Sequence, residues 1–409
     1  MDFRRRDSGT DPGLTGLPAR PLHMTLPGRD RMRIAVDARQ VFRAQPRGIG
    51  KTLIDLYAKL AERRPTWAFT MLHQQDEAVP RLTAIANLTR ARIDFSGLTR
   101  FGLWEQAVLP VAAFAARADV LHAPANTGPR RSGVPVVVNI HDLIPLDMAP
   151  DAAETQDWLR RVKLVAGRAR HILTGSEYTK ARLVEVLGVP ADKVTVNYWA
   201  PDQAVRRVED PAVIDDARSR YGLAPGEPYA FGFGAADARK NTAGLVRAYA
   251  RLPAGLRREF RLLLVGIQDE ALAGFRELAA GLGLGDRALF HGYMPEADIP
   301  ALLSGAAALG FPSRSEGFGL PILDAFVCGT PVLTGNRTSL PEVAGDAAVL
   351  VDPDDADALA DGLRRLLADE SLRRDLRARG FARSRLFTWE RTADTVAGVF
   401  EAVAGGHPR

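Results

Sequence analysis

Short, β-branched apolar runs alternate with longer stretches of helical periodicity along most of the chain. In the first half the runs predict strands over Ile34–Asp37, Phe69–His73, Arg92–Phe95, Val120–His122, Val136–Ile140, Arg170–Thr174 and Val194–Tyr198. Helical patterns such as Thr52–Arg63 and Trp104–Ala116 lie between them. A second set follows: Tyr229–Gly234, Arg261–Gly266, Ala288–His291, Ala307–Phe311, Pro331–Thr334 and Ala348–Val351. Strand and helix in strict alternation predict α/β layers with parallel strands. Pro201, Pro211, Pro225 and Pro228, amid mixed charge, mark a boundary between the two sets. The expected organisation is a basic extension over 1–31, then Rossmann-like units over 32–205 and 206–387. A C-terminal helix over 388–409 could cross back to the first unit. Two doubly wound parallel sheets in one chain imply a cleft between them, with ligands outside the carboxyl ends of the strands.

Composition narrows the function classes. The chain has 409 residues, 46% hydrophobic and 25% charged, enough apolar material for two cores. Its one cysteine, Cys328, excludes an intramolecular disulfide framework and CxxC-type metal sites, and fits a reducing, cytoplasmic compartment. A net charge of +5, from 54 Lys and Arg against 49 Asp and Glu, is no argument for nucleic acid. No apolar run reaches the roughly 18 residues of a membrane helix. Arg4, Arg5, Arg6, Arg20, Arg29 and Arg31 precede the first strand without a following apolar segment, so the extension reads as a disordered tail or an overlong start, not a secretory signal. A basic membrane-surface tether is the sharper alternative.

Candidate chemistry collects where predicted strands end. Phe311 closes an apolar strand; then come Glu316, Gly317, Phe318, Gly319, Leu320, Pro321 and, one turn into a helix, Asp324. Glycines allow close backbone approach, and a helix N-terminus presents free N–H groups and positive potential to an anion. Two carboxylates at such a crevice suit sugar or ribose hydroxyls. Gly48-Ile49-Gly50-Lys51-Thr52 opens a helix after the first strand in the same manner. It is not a Walker A motif, because Gln45 stands where that motif needs glycine. His141-Asp142 follows another apolar strand.

The segment from Glu316 to Asp324 resembles the Glu-x7-Glu signature of retaining glycosyltransferases of family 4, which have the GT-B fold. Phe233-Gly234 through Arg239-Lys240-Asn241, the Gly-Ile-Gly loop, Gly329-Thr330-Pro331 and Leu340-Pro341-Glu342 lie in the family's order. The resemblance runs from about residue 33 to residue 400. It implies catalytic roles for Glu316, His141 and Lys240. Donor binding would fall to Arg239, Lys240, Gly48, Gly50, Gly317, Phe318, Gly319, Leu320, Asp324, Tyr293 and Met294, the last two at the base. No metal or other cofactor is implied beyond the nucleotide-sugar donor. Two positions depart from the pattern: Asp324 is one methylene shorter than the usual Glu, and Gly234 stands where many relatives have Arg.

The resemblance implies transfer of a hexose, mannose from GDP-mannose in the branch most similar to this chain, to a saccharide or polyprenyl-linked acceptor, in the cytoplasm or at the inner face of a membrane. The departing diphosphate would be stabilised by Lys240, Arg239 and helix N-termini, with Glu316 and His141 holding the sugar from opposite domains. A UDP-sugar donor, or a non-catalytic nucleotide-sugar scaffold, are the alternatives. A sugar-nucleotide epimerase would need a Tyr-x-x-x-Lys pair and a GxGxxG after the first strand, and neither is present there. Four further sites are open from the sequence. Trp104-Glu105-Gln106 and His122 fit packing or acceptor contact. Ser176 fits helix capping or a cleft hydroxyl. The basic run Arg160, Arg161, Lys163, Arg168, Arg170 fits a solvated face, or anionic lipid headgroups or a lipid-linked diphosphate.

Overall fold

The computed structural model describes residues 31–43, 48–75, 79–93 and 101–406. Residues 1–30 of the expected tail, and Gln45, lie outside them. Seven strands form the first sheet: β1 Arg33–Asp37, β2 Ala68–His73, β3 Leu88–Arg92, β4 Val120–Ala123, β5 Val136–Asn139, β6 His171–Thr174 and β7 Val194–Val196. Six form the second: β8 Tyr229–Phe233, β9 Arg261–Val265, β10 Ala288–Phe290, β11 Ala308–Phe311, β12 Val332–Gly335 and β13 Ala348–Val351. The orders are β3-β2-β1-β4-β5-β6-β7 and β10-β9-β8-β11-β12-β13. All described pairings are parallel. Each sheet therefore has its topological switch beside its first strand, between β1 and β4 and between β8 and β11, where doubly wound sheets open a ligand crevice. Strands such as Arg261–Val265 are buried at every position, as strands covered by helices on both faces must be.

One strand expectation is corrected. The strand predicted over Arg92–Phe95 is β3, Leu88–Arg92, paired from Phe69↔Leu88 to His73↔Arg92; residues 94 and 95 lie outside the described set. As an edge strand it buries only Leu88 fully, so its arginines hide its apolar signal. Arg90 lays its guanidinium 4.5 Å from the Phe42 ring centroid. The helix predicted from Trp104 also differs, because a π-helical turn, Trp104–Val108, precedes Leu109–Ala115. This wide turn carries Glu105 to Arg39, whose Nη2 lies 3.0 Å from Glu105 Oε1, while Gln106 bonds Gly128 O and Arg130 N. Trp104 is buried. The segment thus packs and shapes loops.

The last helix, Trp389–Gly405, packs along α1, Ile49–Arg63, and against β4 and β6. Trp389 donates from Nε1 to Pro201 O at 2.8 Å, and Phe400 meets the buried His122 ring at 5.3 Å. His122 itself is enclosed by Tyr57 and Asn139, and burial pushes its pKa down to about 4. It is a neutral core histidine. Among the described residues, no helix is long and apolar enough to cross a membrane.

Candidate active site

The loop after β8 is built to hold two cations at the switch point. Asp237 caps a 3-10 turn over Ala238–Lys240 by accepting from Arg239 N at 2.9 Å. Asn241 then takes a left-handed conformation, φ 52°, and donates to Pro353 O at 2.6 Å. Asparagine tolerates that φ better than other side-chain-bearing residues. The result aims Lys240 Nζ at Glu316 Oε1, 2.7 Å away, and Arg239 Nη1 at Glu316 Oε2, 2.8 Å away. Lys240 also sits 4.9 Å from the Phe311 ring centroid. Arg239 turns inward, towards the switch point. Gly234 leaves no room for a side chain: a Cβ there would come within 2.5 Å of Ile267 Cγ1.

Glu316 is fixed from behind. Its N–H donates to Thr338 Oγ1 at 3.1 Å, and Ser339 Oγ lies 2.9 and 2.8 Å from the carbonyls of Glu316 and Phe318. Gly319, φ 121°, caps the helix Leu320–Cys328, with Pro321 in its first turn. Phe318 buries its ring against Tyr198 and Phe387, at 6.2 and 5.9 Å between centroids. Met294 is likewise in the core. Neither side chain is free to reach a ligand in the cleft. Leu320 is half-buried, and Tyr293 is 59% exposed.

His141 follows β5 at its carboxyl end. Its ring Nε2 is 2.7 Å from Pro124 O, which can only accept, so Nε2 carries the proton and Nδ1 is left as an acceptor. Burial holds its pKa below the ordinary value, so the imidazole is neutral. The ring lies 5.9 Å from Trp199. Burial raises the neighbouring Asp142 carboxyl, whose Oδ1 accepts from Ile144 N at 3.1 Å. The two sheets meet here: a Cβ on Gly317 would lie 2.5 Å from His141 O. Ser176, N-cap of the helix Glu177–Leu187, both accepts from Thr179 N and reaches Gly317 O at 3.0 Å. Of the two roles its sequence allowed, capping is the one observed, and the hydroxyl is buried against the Gly317 loop.

Several cleft residues carry no role in the sequence reading. Glu342 accepts from Glu177 N, Tyr178 N and the Tyr198 hydroxyl at 2.7, 3.2 and 2.7 Å, tying the second sheet's side of the cleft to the first. Its signal was the Leu340-Pro341-Glu342 match, to which no task was attached. Ser315 Oγ donates to Asp147 Oδ2 at 3.2 Å. Lys51, just inside α1 and beyond the exposed Gly48 and buried Gly50, pairs with Glu296 and stands 3.8 Å from Asp202 Oδ2. Asp324 Oδ1 accepts from Asp202 N at 3.2 Å.

Burial pushes the Asp324 pKa to about 7 from an ordinary 3.8, with Asp202 and Asp55 nearby adding to the rise. The folded chain holds this proton more tightly than the unfolded one. Its stabilisation is therefore full below the ordinary value and is lost as pH rises through about 7. Asp324→Asn keeps an acceptor for Asp202 N and removes the titration. Its melting temperature should match wild type below about pH 4 and exceed it by a growing margin, reaching several degrees, as pH rises towards about 7. Parallel melting curves across that range would contradict this assignment.

Two facing Rossmann-like sheets, with cations and helix N-termini at the switch points, define a protein of the GT-B glycosyltransferase architecture. A family model described as "Glycosyl transferases group 1" matches residues 213–383, and one described as "Glycosyltransferase Family 4" matches residues 46–201. The chain belongs to these glycosyltransferases. It is 37% identical over 226 residues to O-antigen chain mannosyltransferase B of Escherichia coli, covering 54% of this chain and 58% of that protein. It is 32% identical over 229 residues to the serotype-specific mannosyltransferase WbdA of Escherichia coli, covering 55% of this chain and 28% of that one. The chain thus matches only part of the length of either relative. Among solved structures, a sucrose-phosphate synthase from Thermosynechococcus elongatus superimposes with a TM-score of 0.73 at 23% identity, over 92% of this chain and all of that one. WaaG, a glycosyltransferase involved in lipopolysaccharide biosynthesis, gives 0.72 at 16% identity, over 90% and 99%. At such identities these two speak for the fold alone.

Proposed function

We propose that the protein transfers mannose from GDP-mannose, with retention, to a saccharide or polyprenyl-linked acceptor in cell-surface polysaccharide assembly, in the cytoplasm or at the inner face of its membrane. In this reading residues 32–205 take the acceptor, residues 206–387 bind the donor, and the helix in 388–409 belongs with the first unit. The observation that carries it is the convergence of Lys240 and Arg239 on Glu316, next to the Gly319-capped helix and facing His141. Without donor, the two cations neutralise Glu316. An incoming diphosphate competes for them and leaves the carboxylate to accept from sugar hydroxyls. His141 Nδ1, as a neutral acceptor, takes a hydrogen bond from a sugar hydroxyl across the cleft.

The bond from the anomeric carbon to the diphosphate oxygen breaks first. Charge growing on that oxygen is stabilised by Lys240, Arg239 and backbone N–H groups in a site with little water. The acceptor hydroxyl forms its bond to the same face, and its proton passes to a donor phosphate oxygen. The names of the mannosyltransferase relatives favour mannose. Asp324 is offered as the ribose contact, and Tyr293 with the Met294 backbone as the base contact.

A thermal-shift comparison of GDP-, UDP-, ADP- and dTDP-sugars tests the donor. GDP-mannose should give the largest rise, corresponding to about 2.7 kcal/mol at a hundredfold excess over its dissociation constant. A larger shift with a UDP-sugar would replace the donor in this proposal. Donor binding without any turnover would favour the scaffold.

A further inference from the structure

A second feature lies at the opposite end of the first sheet from His141. The amino ends of β5, β6 and β7 border a cavity of about 690 Å³ lined by Arg130, Arg168, Arg170, His171, Asp192 and Lys193, among others. A second recess of about 410 Å³ shares Gly167 and Arg168 with it and adds Arg160, Lys163 and Leu164. Arg160 pairs with the exposed Asp157. Among the described residues, Arg130, Lys163, Arg168, Arg170 and Lys193 have no carboxylate within ion-pair distance. Lys193 donates instead to Gly167 O at 3.0 Å. Burial and the adjacent Arg170 lower its pKa, which records cations crowded together without compensation. His171 is held by Thr195 Oγ1 at 2.8 Å and, with its pKa near 4, adds no charge. Crowded, unpaired cations around a concavity cost free energy in the empty protein, and an anionic partner recovers it.

The same face carries exposed apolar side chains. Phe114 is 71% and Val111 67% exposed on the helix Leu109–Ala115, and Leu164 is 39% exposed on the helix Ala153–Arg168. Phe114 belongs with the cavity, since its Cδ2 would lie 3.7 Å from a Cβ on Gly133, in the loop between the lining residues Ser132 and Val134. A soluble anion needs the cations but has no use for a phenyl ring in water. A bilayer uses both: cations meet anionic headgroups while aromatic and aliphatic side chains enter the boundary with the acyl chains.

We propose that this face docks on an anionic phospholipid surface, with Phe114 and Val111 entering the interface and the Arg130–Arg168–Arg170–Lys193 cavity receiving a phosphate-bearing headgroup. The argument is independent of the reaction in the cleft.

The test is co-sedimentation of the full chain with vesicles of phosphatidylcholine, with and without about one third phosphatidylglycerol. Wild type should sediment with the anionic vesicles only, and less as salt is raised. Each cation near such a surface contributes about fivefold in partitioning. Lys163→Glu with Arg168→Glu should therefore lower partitioning at least ~20-fold, and Phe114→Ser at least about fivefold, all with unchanged melting temperature. No preference for anionic vesicles would overturn the proposal. So would anionic binding that all these variants retain, which would assign it to the arginines before residue 32. Binding of inorganic phosphate, lost in Arg168→Glu, without vesicle sedimentation would replace the bilayer with a soluble anion.

Discussion

Lys240→Ala should lower the rate of glycosyl transfer at least ~100-fold, and Glu316→Ala by a comparable factor. The expectation comes from what each group would do as the donor bond breaks. Lys240 is an ammonium set at the switch point by the Asp237 cap and the left-handed Asn241, so it needs no reorganisation when charge develops on the leaving phosphate. Removing one preorganised donor of this kind costs on the order of 10²–10³ in turnover. Glu316 holds both loop cations before the donor arrives and, in the proposed reaction, the sugar afterwards. Since the two residues share an ion pair, the double variant should lose less than the product of the single losses. Initial rates with a saturating donor measure this directly. If both single variants stayed within threefold of wild type, the assignment of the site would fail.

Gly317→Ala should lower turnover by about 100-fold while leaving the melting temperature close to wild type. The added methyl would sit 2.5 Å from His141 O and 3.0 Å from Asp142 Cβ. The first of these is backbone at the end of a buried strand and cannot swing aside. Either the Glu316 loop or the first sheet must shift, which also strains the Ser176–Gly317 hydrogen bond. A displacement of about 1 Å between reacting groups costs on the order of 10²-fold in rate. Besides the cluster the two sheets share, each has a core of its own, so stability should suffer less than turnover. Unchanged turnover with Gly317→Ala would mean that the reaction does not use the close approach of these two loops.

Much of this site could be read from local pattern. Apolar runs located all the strands of the second sheet to within a residue or so, and thereby the carboxyl ends where Lys240 and Glu316 stand. Glycine at 317 and 319 and proline at 321 marked a tight entry into a helix, because backbone sterics restrict which residues can make one. Where the pattern misled, a local rule met a tertiary exception. The arginines of β3 are acceptable on an edge strand. Nothing local showed that the side chains of Phe318 and Met294 pack into the core.

By itself the sequence determined the two α/β units, the strand ends that carry the chemistry, and the Arg-Lys-Asn and Glu-x7-Asp segments. Those properties depend on side-chain period, φ preferences and capping, all of which act over a few residues. Tertiary structure alone decided which charges meet. Lys240 finds Glu316 across 76 positions, Ser176 finds Gly317 across 141, and Glu342 caps the Glu177 helix from 165 positions away. It also left one group of cations on the first sheet without carboxylates. Ion pairing is set by distance in space, and distance in space is fixed only when both sheets have packed their helices and closed on each other.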